Sequence, residues 1–223
     1  MENGKIKILK TEKNYIAVIK KAGMICERAN DKTKAESMVN ELENMLGTEV
    51  FPVHRLDKET SGVMIYALTG KGAAALGKTV SDGGFHKTYL AAAEGIFDEK
   101  SGKMEDFLYR DAKKNKSYVV KTERKGVKKA VLEYEVLSEK KIGEKEFSLV
   151  RIKLFTGRTH QIRVQFSHRS HPLAGDKKYG SRTDLKDKIA LFSEQIEFFD
   201  PFSKKNVFFE AKPEEEPFSY FEK

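Results

Sequence analysis

A single cysteine, five scattered prolines and no long apolar run set the first limits on this chain of 223 residues. One cysteine, Cys26, excludes an internal disulfide and any cysteine-cluster metal site, and fits a reducing compartment. It follows Met24-Ile25, which marks it as a buried structural thiol rather than a nucleophile. No segment approaches the roughly 18 apolar residues of a membrane span. The opening stretch MENGKIKILK has no apolar core of the kind a signal peptide carries. The expected setting is the cytoplasm, with no membrane partner. With no Pro/Gly/Ser linker and no internal repeat, the simplest partition is one domain over 1–223. Familiar phosphate and nucleophile loops are missing as well: no Gly-x-Gly-x-x-Gly after a strand, no Gly-Lys-Ser/Thr, no Gly-x-Ser-x-Gly. His160, His168 and His171 are close in sequence, but the first two lie two helical turns apart and no Cys or carboxylate pattern completes a ligand set, so no metal is expected.

What the chain does have is charge. Lys and Arg number 42 against 34 Asp and Glu, a net charge of +8, and the pI is about 9.3. That excess points to a polyanionic partner, RNA or DNA first. The basic segments KKNK (113–116) and RKGVKK (124–129) read as solvated hairpin ends.

Periodicity gives a mixed set of elements. Residues 14–20 alternate apolar and polar and read as a strand. Thr33 to Leu46 carries apolar residues at helical spacing, closed by Gly47. Strands are expected at 49–54, 62–68 and 87–97, with a helix at 71–82. SYVVKTE (117–123), AVLEYEVLSE (130–139) and FSLVRIKLF (147–155) read as antiparallel partners, the last two joined by a turn at Gly143. Within 156–172 a helix capped by Thr156 or Thr159 and ended by Pro172 is expected, and 189–200 and 206–213 read as closing strands. Strands do not alternate regularly with helices, so the class is α+β with much antiparallel sheet rather than a doubly wound fold.

The chemistry concentrates in PVHRLDKETSG, 52–62. Arg55 and Asp57 stand two apart just before an apolar strand. For an arbitrary Arg-x-Asp a surface ion pair, worth about 0–1 kcal/mol, is the plain explanation. Here the loop runs directly into the core, a second polar segment supplies Arg158, His160 and Arg163, and Tyr89 sits in an otherwise apolar strand where its hydroxyl needs a partner or a task. A carboxylate kept ionised by a guanidinium at the edge of a core is a nucleophile that needs no separate base.

HRLDKETSGVMIYA resembles the signature of RNA pseudouridine synthases of the RluA type, His-Arg-Leu-Asp followed by x-x-Thr-Ser-Gly. KTYLAAAEG (87–95) resembles that family's Lys-x-Tyr-x-Ala segment, and TGRTHQIRVQFSHRSHPLAGDKKYG (156–180) resembles its third motif. The three come in the family's order across roughly 14–200. The resemblance implies a largely antiparallel central sheet with a catalytic cleft, no metal and no cofactor. It implies isomerisation of uridine to pseudouridine in RNA. Many relatives carry an N-terminal accessory RNA-binding domain; with the first candidate strand near residue 6 or 15 none is expected here, so a small tRNA or rRNA stem-loop is the expected target, and a monomer is the default. Asp57 matches the essential aspartate, Tyr89 the tyrosine that packs on the target ring, and Arg163 the basic residue paired with the aspartate. Arg55 matches the arginine that contacts RNA and holds the flipped nucleotide out. His54 and Thr60 carry the signature and are counted with the RNA-binding residues, as are Arg158, His160 and Gln161. Two positions depart from the family: Lys20-Lys21-Ala22-Gly23 lacks its early proline, and Leu191-Phe192-Ser193 stands for Leu-His-Ala. The alternative is an RNA-binding protein or RNA chaperone on the same fold, with no need of chemistry. A hydrolase would need a paired general acid that the sequence does not offer.

Overall fold

The computed structural model describes residues 6–29, 35–186 and 188–221. In chain order the elements are strands β1 (Lys7–Thr11) and β2 (Tyr15–Lys20), helix α1 (Met38–Leu46), strands β3 (Phe51–Pro52) and β4 (Ser61–Ala67), helix α2 (Gly70–Ser81), and strands β5 (Phe85–Glu94), β6 (Ser101–Asp111), β7 (Lys116–Val120), β8 (Val127–Ile142) and β9 (Lys145–Leu154). Helix α3 (Gln161–His168), a 3-10 turn at Lys177–Tyr179, strands β10 (Leu191–Asp200) and β11 (Lys205–Glu210) and a 3-10 turn at Phe218–Phe221 follow. The class is α+β, as the sequence suggested. The chain gathers into two compact units, 1–87 with 192–212, and 88–191 with 213–223.

In the first unit β2 pairs antiparallel with β1 and with β4, from Tyr15↔Ala67 to Lys20↔Gly62. β4 also takes β3 at its far end and, in parallel, β10 at Phe192↔Ser61 and Ser193↔Gly62. β10 returns as a hairpin with β11. With neighbours on both edges, β4 is apolar without alternation, and Val63 through Ala67 are fully buried. Each such aliphatic side chain contributes roughly 1.5–3 kcal/mol by leaving water. Tyr15, Ile65, Leu76 of α2, Phe85 and Phe198 join it in one cluster, in which the Phe85 and Phe198 rings stack 4.5 Å apart.

Helix α1 begins at Met38, not Thr33. Thr33 itself lies outside the described residues, but Ser37 is extended (φ −117°) and its hydroxyl accepts from the Asn40 N–H at 3.2 Å, a side-chain cap that fixes the start. β3 is likewise shorter than the strand expected at 49–54. After Pro52 the chain leaves the ladder, and 53–60 form an irregular loop.

In the second unit the strand order is β5-β9-β8-β6-β7. β8 and β9 form the expected hairpin about Gly143, with a bulge between Val136 and Ser138. β6 pairs with both β7 and β8 and was not foreseen from the sequence. α3 lies on this sheet. Val164 packs with Leu108 and Ala130, and Asp106 of β6 accepts from Gln165 Nε2 at 2.7 Å and from Arg169 Nη1 at 2.9 Å.

Candidate active site

The residues expected to act fall in both units. In the first, the β3–β4 loop carries His54, Arg55, Asp57 and Thr60. Burial alternates along it: His54 and Leu56 are buried, Arg55 is exposed and Asp57 is half-buried. Burial thus separates the anchors His54 and Leu56 from Arg55 and Asp57, which keep contact with solvent.

The anchors are specific. His54, 8% exposed, accepts the Ile65 N–H on Nε2 at 3.0 Å, and its ring lies 5.8 Å from Phe85. An accepting Nε2 requires the neutral ring. Burial, with the Lys87 cation second, holds its pKa well below the usual histidine range. Leu56 exchanges two contacts with the buried Cys26: its N–H donates to Sγ, and its carbonyl accepts from the thiol, both at 3.2 Å. Cys26 is thus the structural thiol its neighbours suggested. The Thr60 N–H closes a turn on the Asp57 carbonyl at 3.1 Å.

Beneath that turn lies a residue that no motif marks for a role. Lys20, at the end of β2, is fully buried, and its ammonium donates to the carbonyls of Thr60 at 2.6 Å, Lys58 at 3.0 Å and Lys21 at 3.1 Å. One cation therefore collects the carbonyls of the turn that follows Asp57. Burial pulls the Lys20 pKa from the ordinary 10.5 to about 8, against the opposing effects of Cys26, Glu59 and Asp57. Arg55 makes an exposed pair with Glu27 at 3.1 Å. Gly62 accounts for the glycine of Thr-Ser-Gly. Its φ is +120°, and a Cβ there would stand 2.4 Å from the backbone N and O of Ser193, where β10 meets β4.

In the second unit Tyr89 lies in β5 and is 5% exposed. Arg163 is 2% exposed on α3, and its guanidinium is gripped side-on: Nε donates to Asp176 Oδ2 at 2.6 Å and Nη2 to Oδ1 at 2.9 Å. The Tyr179 ring lies 5.3 Å from the guanidinium carbon. The Tyr179 hydroxyl accepts the Ser117 N–H at 2.8 Å and meets His160 Nδ1 at 3.0 Å. Asp176 and Tyr179 belong to the GDKKYG stretch, and only the fold reveals their task of setting the angle of Arg163.

The helix cap differs from expectation. Neither threonine caps α3. His160 takes the cap position in a left-handed conformation (φ 53°) without a side-chain cap bond. Gln161 Oε1 instead gathers the Arg158 N–H at 3.1 Å and the Thr156 hydroxyl at 2.8 Å, while its Nε2 donates to the Val131 carbonyl at 3.1 Å. Arg158 is exposed, its Nε donating to the Lys129 carbonyl at 3.0 Å. Of the six side chains expected to touch RNA, Arg55 and Arg158 face solvent, while His54, Thr60, His160 and Gln161 are each below a tenth exposed. Among the described residues no three of His, Cys, Asp and Glu gather as a metal site, and no helix is long and apolar enough to cross a membrane.

Residues 14–168 match the family model described as RNA pseudouridylate synthase. The tRNA pseudouridine synthase C of Vibrio parahaemolyticus is 27% identical over 222 residues, 92% of this chain and 89% of its own. An uncharacterized RNA pseudouridine synthase of Bacillus subtilis is 30% identical, covering 94% of this chain and 69% of its own. The ribosomal large subunit pseudouridine synthase D of Borreliella burgdorferi is 38% identical over 139 residues, 62% of this chain and 41% of its own. Among solved structures, human RNA pseudouridylate synthase domain containing 1 shares the fold, with a TM-score of 0.80 at 22% identity over 96% of this chain and 86% of its own. With the family match running from the first core strand through α3, the chain belongs to the RNA pseudouridylate synthases, of the RluA type, and is an isomerase that converts uridine in RNA to pseudouridine.

Proposed function

We propose that this chain modifies a uridine in tRNA or rRNA with Asp57 as its nucleophile and Tyr89 and Arg163 as the other residues of the reaction. The observation that carries the reading is the build of the Asp57 loop. A half-buried carboxylate stands on a short irregular segment pinned by His54 on the Ile65 N–H, by Cys26 on Leu56 and by Lys20 on two carbonyls. A nucleophile held in one place avoids the entropy of finding its geometry at each turnover. In the isomerisation the C1′–N1 bond breaks, the detached uracil turns, a C1′–C5 bond forms, C5 gives up its proton and N1 takes one up. Asp57 supplies the carboxylate that carries the intermediate, Tyr89 its ring against the base, and Arg163 a cation whose angle Asp176 sets. The exposed Arg55 holds the extruded nucleotide out of its helix, a step that costs a few kcal/mol in lost stacking, and Arg158 takes the backbone. His54, Thr60, His160 and Gln161 serve from beneath, by shaping the segments that carry these groups.

The Vibrio relative named for tRNA aligns along nearly the whole chain, which supports tRNA; the Borreliella relative named for the large ribosomal subunit supports rRNA over a shorter stretch. The test is to map pseudouridine in tRNA and rRNA from cells lacking this protein, then from cells given back the wild type or Asp57→Ala. The expected result is a position lost on deletion, restored by wild type and not by Asp57→Ala, with purified Asp57→Ala slower by about a thousandfold or more in tritium release from C5-labelled RNA while still binding it. Restoration by Asp57→Ala would overturn the assignment in favour of a fold that acts on RNA without this chemistry.

A further inference from the structure

Residues 109–129 hold nine Lys or Arg and only two Asp or Glu, a net +7 in a chain whose total is +8. The fold carries this run on the end of β6, the turn after it, β7 and the start of β8. β6 and β7 are joined by a turn at 112–115 that carries Lys113 and Lys114, both exposed. Tyr109 and Tyr118 are direct partners across that ladder, so their rings share a face, and they are 39% and 37% exposed. Both rings are met by cations: Arg124 stands 5.9 Å from the Tyr109 ring and Lys116 5.7 Å from the Tyr118 ring. A long cationic side chain usually loses rotamer freedom on binding an anion. Resting on an aromatic ring, it has already lost part of that freedom. Solvated hairpin ends explain the charge alone. They do not explain two exposed tyrosines set opposite each other, each with a cation beside it.

The hairpin is also tied to the segment that holds Arg163. Lys116 Nζ donates to the Lys178 carbonyl at 2.7 Å, and Lys178 Nζ returns to the Asn115 carbonyl at 3.2 Å. The Ser117 N–H donates to the Tyr179 hydroxyl and the Ser117 hydroxyl to the Thr159 carbonyl at 2.6 Å. This hairpin is therefore braced at its tip.

We infer that the outer face of the β6–β7 hairpin is a docking surface for RNA outside the residues that do the chemistry. Lys113, Lys114 and Arg124 take phosphates, and Tyr109 and Tyr118 offer rings on which unpaired bases stack. The inference rests on an RNA substrate and not on the assignment of Asp57. Filter binding over a range of salt, with unfractionated tRNA and a uridine-rich single strand as probes, tests it. The variants are Tyr109→Ser with Tyr118→Ser, and Lys113→Ser, Lys114→Ser and Arg124→Ser together. All five positions are exposed, and circular dichroism checks that each variant folds. The expected result is binding about tenfold or more weaker for the tyrosine pair. The cation set should flatten the slope of log affinity against log salt by about two. With C5-tritiated RNA the variants should raise KM and leave kcat unchanged. Folded variants with unchanged affinity and slope, a wild type that binds neither probe, or a fall in kcat at constant KM each overturn the inference. A wild type that binds RNA through this face but releases no tritium would count against the proposed reaction alone.

Discussion

Replacing Lys20 by methionine asks whether the ammonium beneath the Asp57 loop is held at the expense of its hydration. The methionine keeps most of the buried stem and removes the charge and its three donors. Two effects oppose each other near neutral pH. The buried Thr60 carbonyl loses the ammonium, at about 1–3 kcal/mol for a buried acceptor left unmet, while Lys58 keeps the Gly23 N–H at 2.8 Å. Against that, burying a cation whose pKa falls from 10.5 to about 8 costs about 3 kcal/mol, at 1.36 kcal/mol per unit. The size of the change at pH 7 thus decides little, but its pH dependence decides a good deal. Because the folded value lies below the unfolded one, the unfolded chain binds more protons between about pH 8 and 10.5, and stability rises with pH through that window. The burial cost is present in full below it. From about pH 7 to about 9.5 this one group should add about 2 kcal/mol to the wild type and nothing to Lys20→Met. For a chain of this size that is a shift of about 4–8 °C. The other titratable groups facing Lys20, namely Asp57, Glu59 and Cys26, are present in both proteins. Melting curves of the two proteins, followed by circular dichroism across that range, should diverge in favour of the wild type by this amount. Curves that stay parallel would refute the reasoning, and would mean that three carbonyls hold the ammonium as well as water does.

Two further substitutions probe the supports of the candidate residues. Asp176→Ala strips the carboxylate from a pair whose side chains are 3% and 1% exposed. Removing one partner of a buried ion pair should cost about 3–5 kcal/mol, a fall of roughly 10 °C in Tm, and a Tm within a few degrees of wild type would show that Arg163 does not depend on Asp176. Gly62→Ala puts a methyl 2.4 Å from the Ser193 backbone at a φ of +120°. It should destabilise by more than about 2 kcal/mol, through strain that backbone cannot relieve as a side chain would, and a soluble variant melting like wild type would refute the close approach of β10 to β4.

The candidate residues were legible where local pattern decides them, and their supports were not. His-Arg-Leu-Asp before an apolar run announces an extended segment that alternates inward and outward, and burial follows that alternation from His54 to Asp57. Lys20 ends a strand of alternating pattern and reads as a solvent-facing cation. Its burial follows from carbonyls at Lys58 and Thr60, some 40 positions on, that a one-dimensional pattern does not bring together. The same holds for Arg163, whose partner Asp176 is thirteen residues away beyond the end of its helix. Thr156 and Thr159 are sound capping residues by type. They do not take the role: His160 stands at the cap position, and the Thr156 hydroxyl donates instead to Gln161 Oε1 at 2.8 Å. β6 was missed because SGKMEDFLYRD buries only Met104 and Leu108 deeply and carries charge on both faces, Asp106 being drawn inward by Gln165 and Arg169. The tyrosines of that hairpin make the point most directly. Tyr109 and Tyr118 are nine residues apart, and only the register set by the 112–115 turn, with Asn115 at φ 44°, makes them opposite rather than one step out of phase, which would turn one ring to the other face.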